Sequence, residues 1–250
     1  GKSFICIDDK NNIELLKKLK IKNYYTYGTN PKSQFYIRNI KQLKKFSEYD
    51  LSIKLPGKKN ISINKIKIPL LGVHNIRNST AAAAVASTIG ISGAIIKKGL
   101  KEFKGVQRRF NKIFNYGETN FYDDYAHHPT EISATLSAAK YLKRNIIVVF
   151  QPHRFSRTKI LMENFIRILS KINHLILLET YSAGEKKIKG ATSKDIYFKL
   201  LKYNKNVIYL KNHNYLNNLL KKYIEKRNAI IFMGAGSISN IAKNYFISND

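Results

Sequence analysis

Short apolar runs separated by polar turns dominate the first hundred residues. The segments 4–8 (FICID), 24–28 (YYTYG), 34–38 (QFYIR), 49–56 (YDLSIKLP) and 61–70 (ISINKIKIPL) read as strands. One amphipathic helix interrupts them at 10–20 (KNNIELLKKLK). After Pro69 the pattern turns helical, with an Ala-rich stretch at 74–88 and a further helix at 91–103. From about residue 119 strands and helices alternate. The strands are 120–124 (NFYDD), 145–150 (NIIVVF), 174–179 (HLILLE), 206–210 (NVIYL) and 229–234 (AIIFMG). The helices are 129–142, 156–172, 192–202 and 214–226, with a last one after Gly236. In the second of these, Ile160, Leu161, Phe165, Ile168, Leu169 and Ile172 are expected to make one apolar face.

Several of the later strands are unbroken apolar runs, as expected where helices cover both faces of a sheet. Strand–helix alternation of this kind predicts βαβ units and a parallel sheet. Residues 106–250 are therefore expected to form a complete α/β domain with a doubly wound, mostly parallel, Rossmann-like sheet. Residues 1–105 read as the later part of another α/β domain. The chain has no initiator Met and opens directly into strand-like sequence, so we expect a fragment whose upstream part is missing.

The chain is 44% hydrophobic over 250 residues, enough for a sizeable core. No apolar run reaches the roughly 18–20 residues of a membrane helix, and no secretory signal is visible. The single Cys6 excludes an internal disulfide and fits a reducing cytosol. A cytoplasmic protein without a membrane partner is expected.

Net charge is +29, which raises the alternative of a basic nucleic-acid-binding module. The basic residues, however, are 36 lysines and only nine arginines, and the lysines scatter over predicted helices. Nucleic-acid readers favour arginine forks. Four of the nine arginines (Arg108, Arg109, Arg154 and Arg157) fall in two short motifs instead. No nucleic-acid partner is expected, although the charge should draw acidic ligands such as nucleotides.

Four motifs carry candidate chemistry. DDYAHHPTE (123–131) follows a strand and opens a helix, with Pro129 in the first turn and Glu131 where the helix dipole favours an acid. Asp123, Asp124, His127 and His128 thus fall at the carboxyl end of a strand, where open parallel sheets bind ligands. The structural alternative is that His128 caps the helix and an Asp satisfies backbone donors. Pro129 disfavours helical geometry at His128 and pushes it towards the cap. His127 then projects the other way, into the crevice with Asp124 and Tyr125. Zinc could take Asp and His, but no second ligand cluster is visible, so no metal is assigned.

QPHRFSRT (151–158) follows the next strand, and Arg154 and Arg157 flank a helix start. With the helix N-terminus they form an expected carboxylate or phosphate site, the alternative being two solvated arginines beside a Ser156 cap. GVHNIRNSTAAAAVA (72–86) sets His74, Asn75 and Asn78 on one face of a helix start, where Asn amides suit an adenine edge. Asn75 as a plain N-cap is the alternative. GVQRRF (105–110) places an arginine pair at the expected domain junction. MGAGSIS (233–239) is a glycine turn between strand and helix, lacks the full dinucleotide fingerprint and needs no ligand to explain it. No G-x-x-x-x-G-K-[ST] occurs, so these residues alone offer no recognisable γ-phosphate cradle and are expected not to complete a reaction with ATP by themselves.

In order along the chain, GVHNIRNSTAAAAVA, GVQRRF, DDYAHHPTEI, FQPHRFSRT, ETYSAGEKKIKGATS and GAGSI resemble the Mur ligase family over nearly the whole sequence. The resemblance is greatest to the member that joins alanine to the muramate precursor. It implies that 1–105 is the end of the central ATP-binding domain, with P-loop, Mg2+ ligands and UDP-sugar domain upstream, and that 106–250 is the C-terminal domain. It implies UDP-N-acetylmuramate, L-alanine and ATP as substrates and an acyl-phosphate intermediate. His74, Asn75 and Asn78 would border adenine, and Arg109 would reach an ATP phosphate. Asp124 would act on the nucleotide side, and Tyr125 and His127 would border the amino-acid pocket. Arg154 and Arg157 would hold carboxylate or acyl-phosphate oxygens, and Asp123 and His128 would support them. The rival within the family is the murein-peptide recycling ligase, which uses a preformed tripeptide; FQPHRFSRT with both arginines favours the alanine enzyme. A catalytically dead binding domain is a third reading.

Overall fold

The computed structural model describes residues 1–19, 22–57, 59–224 and 227–247. The final residue of the predicted helix 10–20 and the last two of the helix 214–226 fall outside these. The chain folds as two compact units, Gly1–Gly105 and Val106–Asp250.

The first unit runs β1 (Ser3–Cys6), α1 (Lys10–Leu19), β2 (Tyr24–Gly28), β3 (Phe35–Gln42), β4 (Ser47–Ile53), β5 (Ile61–Ile68), α2 (Val73–Thr88) and α3 (Gly93–Glu102). Its strands lie side by side in chain order, the first three parallel and the last two antiparallel. In β4 every second side chain (Tyr49, Leu51, Ile53) enters the core, as strand period requires. β5 breaks that rhythm: Ile63 and Ile66, three apart, are both buried. A bulge reconciles them, with Lys65 at φ 54 and its N–H donated to Asp50 Oδ1 at 2.7 Å. α2 buries Ile76, Thr80, Ala83 and Ala84, and α3 buries Ile96, against this sheet.

The second unit runs β6 (Asn111–Tyr116), β7 (Thr119–Asp124), α4 (Pro129–Ala139), β8 (Asn145–Phe150), α5 (Phe155–Ile160), α6 (Met162–Leu169), β9 (His174–Leu178), α7 (Ser193–Leu200), β10 (Val207–Leu210), α8 (Leu216–Lys221), β11 (Asn228–Met233) and α9 (Ile238–Ile247). The sheet order is β10-β9-β8-β11-β7-β6, parallel except for β6. Alternate side chains of the parallel strands serve opposite faces. Ile147, Val149, Ile230 and Phe232 meet α8 and α9. Phe150 points the other way, onto Phe165 of α6. The sheet is thus doubly wound and mostly parallel, as its sequence pattern predicts. β8 is followed outward by β9 and β10, while β11 returns on its other side, between β8 and β7. The chain therefore reverses across the sheet after β10, which puts the switch point between β8 and β11, where open parallel sheets bind ligands at the carboxyl ends of the strands.

Two sequence expectations need correction. β6 was not predicted; it is an antiparallel edge strand joined to β7 by a turn with Gly117 at φ 51. The helix predicted over 156–172 breaks at Leu161 (φ −104, ψ 15) into α5 and α6. The break turns Ile160 outward, 81% exposed, and the buried face is Met162, Phe165, Ile166 and Leu169.

Candidate active site

The paired aspartates at the end of β7 point to opposite faces because strand side chains alternate. Asp123 lies on the α9 face, where its Oδ2 accepts from Ser239 Oγ and stands 3.7 Å from Arg108 Nε. Asp124 lies on the α4 face. Its Oδ1 accepts from Ala126 N at 2.8 Å and its Oδ2 from Thr135 Oγ1 at 2.8 Å. Burial pushes the Asp124 carboxyl up to about 6, with the neighbouring Asp123 adding to the rise; the bonds from Thr135 and Ala126 and the charge of Arg109 oppose it.

Beyond Asp124, α4 begins with a reciprocal cap. His128, at φ −110, is the N-cap, and its Nδ1 accepts from Thr130 N at 3.2 Å. Glu131 reaches back so that Oε2 accepts from His127 N at 3.0 Å and His128 N at 3.2 Å. Burial opposes its charge, but these two N–H groups and the charges of His127 and Arg109 hold Glu131 below the usual carboxylate range. His127 Nδ1 lies 2.9 Å from Tyr125 O. A carbonyl only accepts, so Nδ1 carries the proton and Nε2 of the neutral ring is an acceptor.

The arginine pair divides its labour. Arg108 takes φ 59, and its carbonyl accepts from Tyr125 N at 2.7 Å. Its Nη2 donates to Gly234 O at 2.8 Å, and the guanidinium lies 4.7 Å from the Tyr125 ring centre. Arg108 thereby braces β7 against the turn after β11. Arg109 keeps a 54% exposed side chain, with Glu131 Oε1 at 4.0 Å.

After β8, Gln151 turns inward: its Oε1 accepts from Ile238 N at 3.1 Å and its Nε2 donates to Ser237 Oγ at 3.2 Å. A Cβ on Gly236 would stand 2.8 Å from that Oε1 and 2.5 Å from Tyr181 Cγ. The glycine turn thus serves close packing. His153 stacks on Tyr181 at 5.4 Å and lies 5.8 Å from the His127 ring. Arg157 Nη1 donates to His153 Nδ1 at 3.1 Å and His153 O at 3.3 Å. A guanidinium only donates, so the His153 proton sits on Nε2. Burial first, then the charges of Arg157, His127 and Arg154, lower the His153 pKa and favour the neutral ring. Two imidazoles thus lie side by side at the strand ends, His127 with an accepting Nε2 and His153 with a donating one.

Arg154 is exposed, and among the described residues its guanidinium makes no hydrogen bond or ion pair. The expected share of the helix N-terminus in an anion site is corrected. Ser156 N donates to Glu185 Oε2 at 3.0 Å, and Ser156 Oγ to Glu185 Oε1 at 2.6 Å. Ser156 is not the cap; Arg154 is, and Glu185 already occupies the start of α5. Only the guanidiniums remain for an incoming anion.

In the first unit, a cavity of about 610 Å³ is lined by His74, Arg77 and Asn78 of α2 and by Cys6, Tyr27 and residues 8–12. Asn75 does not line it and is not the N-cap, which is Gly72; its Nδ2 donates to Leu71 O at 2.8 Å. Asp8 and Arg77, missed in the sequence, organise this wall. Asp8 accepts from Thr29 N at 2.8 Å, Asn30 N at 3.0 Å and Arg77 Nε at 2.7 Å. Burial opposes the charge on Asp8, yet these bonds hold its carboxyl below the ordinary range. Gly28 allows the approach: a Cβ there would stand 2.5 Å from Asp8 Oδ1.

Among the described residues no group of three or more His, Cys, Asp or Glu side chains could hold a metal ion, and no helix is long and apolar enough to cross a membrane.

Comparison with known proteins places these sites in context. Residues 1–86 match the family description "Mur ligase middle domain", and residues 108–236 match "Mur ligase, glutamate ligase domain". The chain is 58% identical over 242 residues to the UDP-N-acetylmuramate–L-alanine ligase of Pelagibacter ubique, covering 96% of this chain and 52% of that protein. It is 38% identical over 252 residues to the ligase of the same name from Brachyspira hyodysenteriae, covering 98% and 52%. The crystal structure of the UDP-N-acetylmuramate–alanine ligase of Thermotoga maritima superposes with a TM-score of 0.71 at 25% identity, over 90% of this chain and 47% of that one. The chain spans about half the length of the curated relatives it matches. With one family description over each compact unit, this chain belongs to the Mur ligase family.

Proposed function

We propose that these residues serve ATP-dependent ligation of L-alanine to the carboxylate of UDP-N-acetylmuramate, in the cytoplasmic synthesis of the cell-wall precursor. On this reading Gly1–Gly105 is the later part of the ATP-binding domain and Val106–Asp250 the C-terminal domain. The observation that carries it is the pair of imidazoles at the ends of β7 and β8, His127 and His153, 5.8 Å apart and of opposite hydrogen-bonding sense, in a chain 58% identical to a ligase of that name.

In the proposed reaction the muramate carboxylate takes the γ-phosphoryl group of ATP. The alanine amine then attacks the acyl carbon, and the tetrahedral intermediate expels phosphate. Such chemistry needs positioning and charge neutralisation more than a protein nucleophile. Arg154 and Arg157 hold carboxylate or acyl-phosphate oxygens. Tyr125 and His127 border the amino acid, and His127 Nε2 accepts the proton that the amine loses. Arg109 meets an ATP phosphate, and Asp124 acts on the nucleotide side. His74 and Asn78 border the adenine; Asn75 keeps its Oδ1 and one amide hydrogen, the other being donated to Leu71 O. Magnesium is expected with ATP; among the described residues no group of three or more His, Cys, Asp or Glu side chains could hold it.

The test uses a full-length ligase carrying this sequence. Phosphate release should require ATP, UDP-N-acetylmuramate and L-alanine together, and hydroxylamine should trap the acyl phosphate before alanine is added. Release with a preformed tripeptide but not with L-alanine would point to the recycling ligase. Salt-sensitive nucleic-acid binding with no response to ATP would point to the basic module.

The neighbouring histidines should separate cleanly. His128→Ala removes a helix cap and should lower stability by about 1 kcal/mol, with L-alanine KM little changed. His127→Ala should raise that KM or slow turnover at a nearly unchanged Tm. A kinetic defect confined to His128→Ala would reverse the assignment.

A further inference from the structure

We propose that Glu185 is a positioning residue of the ligase site, capping the first turn of α5 from the loop after β9 and so aiming Arg154 and Arg157. The inference rests on the reading that these arginines hold substrate oxygens. Its own basis is geometric. A helix start leaves N–H groups without partners. The N-cap here is Arg154, at φ 71 and ψ 134, and it supplies no side-chain cap. Glu185 supplies one from 29 residues downstream, each carboxylate oxygen engaging Ser156: Oε2 its N–H at 3.0 Å, Oε1 its hydroxyl at 2.6 Å.

The loop is shaped to deliver that carboxylate. Ala183 and Gly184 take φ 51 and 85, and Glu185 N closes the turn on Ser182 O at 3.1 Å. Tyr181 straps the same segment: Tyr181 N donates to Pro152 O at 2.9 Å, and Arg154 N to Tyr181 O at 2.8 Å. The two arginines are thus borne on a turn held from outside at both ends of their motif. The cap also sets the charge pattern. A fixed carboxylate fills the place where an incoming anion would meet backbone N–H groups, so an anion is left to the arginines. The bonds from Ser156 hold Glu185 below the usual carboxylate range, so it keeps this charge through neutral pH.

Solvent-facing carboxylate bonds contribute little to global stability, so losing Glu185 should disturb aim rather than fold. Two measurements on Glu185→Ala test this. Amide hydrogen exchange on the 250-residue chain should quicken at least about tenfold at Ser156 and stay unchanged in α6. In a full-length ligase carrying this sequence, kcat should fall about tenfold at unchanged ATP KM and Tm. The double variant Glu185→Ala/Arg157→Ala should be slower than Arg157→Ala alone by clearly less than the roughly tenfold that Glu185→Ala costs in the wild-type enzyme, because part of the effect of Glu185 passes through Arg157. Unchanged Ser156 exchange, an unchanged kcat or multiplying effects in the double variant would each overturn the proposal. Failure of the ligase reading itself would show differently, as an inactive wild-type enzyme with the exchange result intact.

Discussion

Arg154→Gly is expected to make the chain more stable and the ligase inactive. Arg154 holds φ 71 and ψ 134, a conformation that L side chains rarely adopt. Non-glycine residues in such regions cost of order 1–3 kcal/mol, and surrounding contacts must impose them. Here the bond from Arg154 N to Tyr181 O and the capped turn of α5 do so. Glycine relieves the strain, offset in part by its greater freedom in the unfolded chain. A net gain of about 1 kcal/mol is expected, read as a higher Tm of the 250-residue chain. The guanidinium makes no hydrogen bond or ion pair among the described residues, so its removal sacrifices no internal bond. Activity should move the other way. Losing one charge-complementing donor typically costs on the order of 10²–10³ in rate. Turnover within a few-fold of wild type would remove Arg154 from the site, and a lowered Tm would show that the strained backbone is not what the side chain costs.

Asp124→Asn should flatten a component of the pH dependence of stability between about pH 4 and 6. The Asp124 carboxyl is pushed from 3.8 to about 6, chiefly by burial. A group whose folded pKa is raised binds its proton more tightly in the folded state. Its stabilising contribution is therefore complete below pH 3.8 and is lost as pH rises through 6. The difference corresponds to at most roughly 3 kcal/mol. Asparagine can still accept from Ala126 N and can donate to Thr135 Oγ1, so both contacts survive in kind. The variant should gain on wild type as pH rises from 4 to 7, measured by denaturant unfolding at each pH. Glu131 and Asp8, held below the usual range, lose stability as pH falls, and comparing the two proteins cancels them. A constant difference across this range would mean that Asp124 titrates normally.

Much of the second unit was legible because local rules act there without competition. Unbroken apolar strands alternating with amphipathic helices dictate a sheet covered on both faces, and the structure has one. Pro129 and Glu131 together specify the helix start at which His128 caps and Glu131 answers. The edge strand β6 escaped notice because a two-sided, half-polar strand carries little periodic signal. The break at Leu161 was hidden because apolar spacing continues across it.

The sequence by itself determined most of the strands and helices, where the strand-end motifs fall, and the helix start at Pro129. Those follow from backbone period, proline geometry and capping, all short-range. Tertiary structure alone decided what those side chains meet. It returned β11 between β7 and β8, brought Ser239 to Asp123 and Thr135 to Asp124, and set Gln151 at the start of α9. It also gave the α5 cap to Glu185 instead of Ser156, leaving the arginines free of the helix terminus. Partners 11 to 116 residues apart in sequence cannot be read from local pattern, because which donor reaches a given carboxylate depends on how the sheet is ordered and twisted.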